Sequence, residues 1–181
     1  MPKYSLIALL VSGLIGSQLI TFPEKTIAST EKANILVAQN MDLLTEEKVL
    51  AIMKQIKQAE QNEDIDTLVG FFARFIISTI TVENQDTVTT RNLQGKQAHR
   101  DFLVDSFQVV KQREEINSYL AVNTSEDEQL ITVTRLNIQE IETENTSKFI
   151  SSSTDVIYFA LVEGKPMIVG INTKGWLEQR P

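Results

Sequence analysis

The chain has 181 residues, 42% apolar and 23% charged, a globular balance that suits one domain and argues against disorder. Its net charge is −7, or −8 without residues 1–28 (Lys3, Lys25 and Glu24 leave), which argues against nucleic acid or an anionic membrane surface as main partner. The absence of cysteine excludes disulfides, thiolate metal centres, a cysteine nucleophile and lipoprotein processing.

Residues 1–28 have the three-part form of a secretory signal peptide. Lys3 gives a positive start, Leu6 to Ile20 an apolar run, and Thr26-Ile27-Ala28 a small-residue cleavage site. The apolar run of about fifteen residues falls short of the ~20 that a spanning helix needs. Cleavage after Ala28 is therefore expected, with export to the periplasm or beyond and no stable membrane anchor afterwards. Residues 29–43 form a flexible lead-in, and residues 44–181 a single domain.

The first helix is expected from Thr45, a good N-cap followed by Glu46 and Glu47 where the helix dipole favours negative charge. Val49, Ile52, Met53 and Ile56 make its apolar face; Lys48, Lys54, Lys57 and Glu60 occupy the rest. Asp64 caps a short second helix with Ile65, Leu68, Val69 and Phe72 as its stripe. Ile76, Ser78, Ile80 and Val82 then alternate as a strand, and Thr87 to Leu93 forms its hairpin partner. Gly95 opens a third helix, with Ala98, Phe102, Ser106 and Val109 on one face and Leu103, Phe107 and Val110 widening it. A strand over Glu114 to Asn123 leads through an acidic turn to three long antiparallel strands, QLITVTRLNIQEI, SSSTDVIYFALV and MIVGINTKGW. The order predicts an α+β domain: an antiparallel sheet of about six strands with three helices segregated to one side.

Few residues carry chemistry. His99 is the only histidine, so any acid–base pair of the serine–histidine kind must run through it. It sits one step off the apolar stripe, which predicts a structural or surface role and leaves it a weak base candidate. Asp101 and Asp105, at i and i+4, read as an exposed charged face beside Lys96, Arg100 and Lys111. The acidic turn Ser125-Glu126-Asp127-Glu128 lacks calcium-loop spacing, and no glycine-rich phosphate cradle is present. No metal or cofactor is expected. Phe72, Phe102, Tyr119, Tyr158 and Trp176 are the candidate lining of a ligand pocket, with core packing the competing role.

Paired N-terminal helices, "DIDTLVGFFA" running into a strand, a Gly-led helix "GKQAHRDFL" and long meandering strands ending in "INTKGW" resemble the nuclear transport factor 2-like superfamily, of the cystatin-like class. The resemblance covers roughly residues 44–177 and rests mainly on element order. It implies a cone in which a curved antiparallel sheet wraps the helices and leaves a pocket at its mouth. It also implies either catalysis there, as in ketosteroid isomerases and polyketide cyclases, or binding of a ligand or protein, or dimerisation through the outer sheet face. Enzymes of that superfamily often carry an Asp near the start of the first strand, where this sequence has Arg74. The expectation is thus a non-enzymatic binding or interaction module for a small apolar ligand or a protein. The alternative is a small isomerase, dehydratase or cyclase acting on an apolar substrate, marked by a proton-accepting group deep in the cone. Thr154 to Val162 is mostly apolar on both alternating faces, which predicts a covered outer face. The cover is either a second copy of the sheet or the lead-in, through Ile35-Leu36-Val37.

Overall fold

The structure is a computed structural model that describes residues 44–127 and 129–180. The expected signal peptide and lead-in, residues 1–43, lie outside the described residues. Two helices, α1 (Glu46–Gln61) and α2 (Ile65–Gly70), precede strand β1 (Phe72–Glu83) and its hairpin partner β2 (Val88–Gln94). Helix α3 (Gly95–Gln108) follows, then β3 (Val110–Thr124), β4 (Leu130–Thr143), β5 (Lys148–Val162) and β6 (Lys165–Gln179).

The helix starts follow their caps. Thr45 accepts from the Lys48 backbone N–H at 3.3 Å, and Asp64 accepts from the Thr67 backbone N–H at 3.0 Å. Gly95 opens α3 at φ +77°, a left-handed conformation that glycine adopts without a Cβ penalty. Two helix ends differ from expectation. α2 stops at Gly70, so Phe72 is already in β1, and α3 stops at Gln108, so Val110 begins β3. The backbone N–H of Ile168 donates to the Phe71 carbonyl at 2.9 Å, tying this junction to β6.

The six strands form one sheet in the order β2-β1-β6-β5-β4-β3. The sheet is mixed rather than wholly antiparallel, because β1 pairs parallel with β6 while every other pair is antiparallel. Hairpins alone cannot place β1 beside β6; the long crossover from β1 to β6 allows the parallel pair. Two apolar clusters fill the inner side. One joins α1 and α2 (Val49, Met53, Ile56, Leu68) to Ile131, Val133, Ile157 and Phe159. The other joins Phe102 of α3 to Ile80, Val82, Leu93, Ile141, Phe149 and Leu177. The site lies between them.

Candidate functional site

Residues paired across the sheet share a face, so the inner surface can be read row by row. At one end Val133 and Ile157 are paired, and at the other Ile141 and Phe149. The three inner rows between them are polar. Leu120, Arg135, Asp155 and Thr173 form one; Ser118, Asn137, Ser153 and Gly175 the next; Glu115, Gln139, Ser151 and Leu177 the third. Arg135, Asn137, Gln139, Ser151, Ser153, Asp155 and Thr173 are all buried. The short serines and a glycine beside longer amides make a polar band bounded by apolar clusters, which suits a small ligand with polar groups in its body.

Arg113 and Glu115 join this band through two bulges in β3, one between Val110 and Gln112 and one between Glu115 and Asn117. Each bulge adds a residue, so Val110, Arg113, Glu115 and Ser118 all share the inner face. Helix α1 closes the band from above. Val49, Met53, Ile56 and Glu60 fall on one stripe, so Glu60 points inward and is 1% exposed. The expectation that Glu60 lies on the polar face is corrected by this spacing.

Two kinds of polar side chain occupy the band. Asp155 is saturated: its Oδ2 accepts from Arg135 Nε at 3.2 Å and Nη2 at 3.0 Å, and its Oδ1 from Thr173 Oγ1 at 2.7 Å. That set is structural glue. By contrast both oxygens of Glu60, Asn137 Oδ1, both amide atoms of Gln139 and all three nitrogens of Arg113 are buried without a hydrogen-bond partner. Such groups carry a substantial desolvation cost in an interior, and each calls for a partner that the protein's own side chains do not supply.

Burial pushes the Glu60 carboxyl up to about 8, against the pull of the Arg135 guanidinium. The nearest approach, Arg135 Nη1 to Glu60 Oε2, is 3.6 Å. That is too long for a hydrogen bond and leaves desolvation dominant, so Glu60 is protonated at neutral pH although it sits at ion-pair range. A carboxylic acid there can donate as well as accept. Burial also lowers the Arg113 guanidinium to about 10, which leaves it charged at neutral pH.

His99 is not a surface residue; it is 4% exposed. Its Nδ1 lies 2.7 Å from the Gly95 carbonyl, which can only accept, so Nδ1 carries the proton. Nε2 is then the acceptor, and Ser78 Oγ donates to it at 2.7 Å. Burial depresses its basicity, and Phe72 packs against the ring edge-on at a centroid distance of 5.4 Å. With both nitrogens engaged by protein, the ring is held neutral and pins α3 to β1.

The aromatic candidates divide between the faces. Phe72 and Phe102 are buried, one in each apolar cluster. Tyr119, Tyr158 and Trp176 are corrected: they point to the outer face, where Tyr119 is 61% and Trp176 39% exposed. Alternation decides this, since the inward neighbours Leu120, Ile157 and Leu177 take the other side. Trp176 there lines an outer groove of about 430 Å³ with Leu136, Ile138, Thr154 and Lys174. Arg74 is exposed. Among the described residues no cluster of metal-ligating side chains occurs, and no helix is long and apolar enough to cross a membrane.

No protein-family model and no curated protein matches the sequence. Solved structures do match in shape. A nuclear transport factor 2-like protein of Pseudomonas putida KT2440 has a TM-score of 0.54 at 13% identity, covering 74% of this chain and 88% of that one. A hexachlorocyclohexane dehydrochlorinase of Novosphingobium barchaimii LL02 reaches 0.56 at 5% identity, covering 73% and 87%. A cystatin-like domain of unknown function from Nostoc punctiforme PCC 73102 reaches 0.50 at 15%, covering 71% and 75%. Taken with the six-stranded sheet and the helices packed on its inner side, these likenesses show that the chain has the nuclear transport factor 2-like fold.

Proposed function

We propose that this protein is an exported small-molecule-binding module whose ligand lies in the polar band between α1, α3 and the inner sheet face. One observation carries the reading: Glu60, Asn137 and Gln139 are almost fully buried, unpartnered and gathered between two apolar clusters. A purely structural interior of this kind favours apolar or mutually satisfied side chains. The ligand is less apolar than the aromatic residues alone suggest, because the interior floor is amide, hydroxyl and guanidinium. Native mass spectrometry of protein purified from its own source tests this. A co-purifying small molecule, lost in Asn137→Leu/Gln139→Leu protein that still folds, is the expected result. Bare protein, together with unchanged side-chain amide resonances in the presence of a metabolite extract, would overturn it. The same sample reports export: a mature protein beginning near Ser29 is expected, and an intact Met1 retained in the membrane defeats that part.

A second reading is a proton-transfer enzyme of the isomerase or dehydratase kind. Glu60 favours it, being a carboxyl deep in the cone that burial pushes up to about 8, and thus able to act as a proton donor to a bound substrate. The solved structures similar in shape include a dehydrochlorinase, which makes elimination chemistry compatible with the fold. Turnover of the co-purified molecule, abolished by Glu60→Gln with binding retained, would select the enzyme. Binding without turnover selects the module.

A further inference from the structure

The charges inside the cone leave one unbalanced. Arg135 and Asp155 neutralise one another at 3.0 Å, and Lys57 of α1 reaches the inward Glu115 at 3.8 Å. Burial pushes the Glu60 carboxyl up to about 8, which leaves it uncharged at neutral pH. The surplus is Arg113, on the inner face of β3, whose Nε, Nη1 and Nη2 are buried with no hydrogen-bond partner. Its guanidinium carbon lies 5.3 Å from the centre of the Phe107 ring, which orients the planar fork without occupying its N–H donors. Glu63 acts on it through space from an exposed position, without a hydrogen bond to its N–H donors.

A guanidinium fork with free donors matches a carboxylate in two parallel hydrogen bonds. The charge count sets the valence. A monoanion cancels the surplus, a doubly charged phosphate ester reverses it, and a zwitterionic amino acid leaves it standing. Further atoms define the rest of the molecule. Gln139, one inner row from the Arg113 partner Ile141, is unpartnered at both Oε1 and Nε2, and Asn137, one row beyond, at Oδ1. These atoms require a group that both donates and accepts, as a hydroxyl does.

We propose that the interior takes a small hydroxylated monocarboxylate, its carboxylate on Arg113 and its hydroxyl on Asn137 and Gln139. The assignment rests on reading the interior as a ligand site, and it narrows that reading to one chemical class.

The test uses the mature chain with 3-hydroxybutyrate, mandelate and 4-hydroxyphenylacetate, the primary amide of each, and inorganic phosphate. Binding is followed by thermal shift and by the side-chain amide resonances of Asn137 and Gln139. At least one carboxylate is expected to raise the melting temperature and move both sets of resonances, while its amide binds at least tenfold more weakly. Arg113→Gln should weaken that carboxylate at least tenfold. Arg113→Lys, which keeps the charge and loses the fork, should fall between, and unchanged circular dichroism of both variants confirms that they fold. Equal binding of amide and carboxylate, or affinity within twofold in Arg113→Gln, overturns the carboxylate assignment but leaves an interior site standing. Tighter binding of phosphate overturns it in favour of a more highly charged ligand. If nothing in the panel shifts the Asn137 and Gln139 resonances, the proposal fails; if a metabolite extract does not shift them either, the interior-site reading fails with it.

Discussion

Glu60 Oε2 lies 3.6 Å from Arg135 Nη1 in the centre of the fold, and neither oxygen of that carboxyl receives a hydrogen bond. The pair has a direct consequence for stability against pH. Glu60 titrates near its ordinary 4.5 in the unfolded chain and at about 8 in the folded one. The folded state therefore holds a proton that the unfolded state has lost, and stability falls as pH rises between these values. His99 works in the opposite sense. Its folded basicity is depressed, so the stability it contributes is present above 6.5 and lost as pH falls below it. The interval from pH 7 to 8 isolates Glu60. Urea denaturation should show stability declining there by up to about 1.4 kcal/mol per pH unit, the limit for one proton. Glu60→Gln should flatten the decline, and a parallel slope in that variant would count against a protonated Glu60.

Arg135 is the hub of the buried charges. Asp155 accepts from Arg135 Nε and Nη2, so Arg135→Met leaves a carboxylate in the interior held by Thr173. Removing one member of a buried pair costs on the order of 3–5 kcal/mol. Asp155→Asn retains a hydrogen-bond acceptor and should cost less. Equal denaturation midpoints for wild type and Arg135→Met would show that the pair is not desolvated as described.

The histidine makes a spectroscopic prediction. Long-range ¹H–¹⁵N correlation spectra should show His99 neutral with the proton on Nδ1 at pH 7, and still neutral below the usual imidazole range. His99→Phe keeps a ring beside Phe72 but strands the Ser78 hydroxyl, for a cost of about 1–3 kcal/mol from the unpaired donor. A freely titrating His99 with its proton on Nε2 would contradict this geometry.

Much of the fold was legible because local signals agreed. Thr45, Asp64 and Gly95 mark three helix starts by capping chemistry or left-handed backbone, and β4 to β6 announce themselves by length and strand-forming residues. The site was far less legible. Along β4 the inner set is Ile131, Val133, Arg135, Asn137, Gln139 and Ile141, and the outer set includes Leu136 and Ile138. Each face is mixed, so alternation alone does not say which is inside. In β3 the bulge between Glu115 and Asn117 shifts the faces again, which is how Arg113 and Ser118 come to share one side. Glu60 is the residue that spacing could have found, since 49, 53, 56 and 60 form a single helical stripe. Its charge argues for solvent, but the stripe it shares with Val49, Met53 and Ile56 carries it inward. The parallel β1–β6 pair left no local trace, because it depends on a crossover of the whole domain.

Packing of α3 supplies another test. Phe102 is 2% exposed within the second apolar cluster, with the Arg91 guanidinium over its ring at 4.9 Å. Phe102→Ala should cost about 3–5 kcal/mol by transfer and cavity terms together. Phe72→Ala should cost a similar amount and also loosen His99, visible as a change in its ¹⁵N shifts. Unchanged denaturation midpoints in both variants would rule out this packing.

The outer face carries the last prediction, self-association. Direct pairing sets Tyr119 beside Leu136, and Ser152 between Ile138 and Trp176, so four large apolar side chains lie together on a surface rimmed by Glu83 and Lys174. The outer side of β5 adds Val156, Tyr158 and Ala160, all half-buried. A contiguous apolar patch on a sheet is an interaction surface, and a two-fold axis through it would bury the same patch on both copies. We propose a homodimer through this face, with residues 29–42 folding back over it as the competing cover. Sedimentation equilibrium of the mature protein should give a dimer at micromolar concentration, and Leu136→Lys/Ile138→Lys should return it to a monomer with the inner core intact. A monomer throughout the micromolar range removes the dimer. In that case deletion of residues 29–42 should expose the patch, seen as increased binding of a hydrophobic dye.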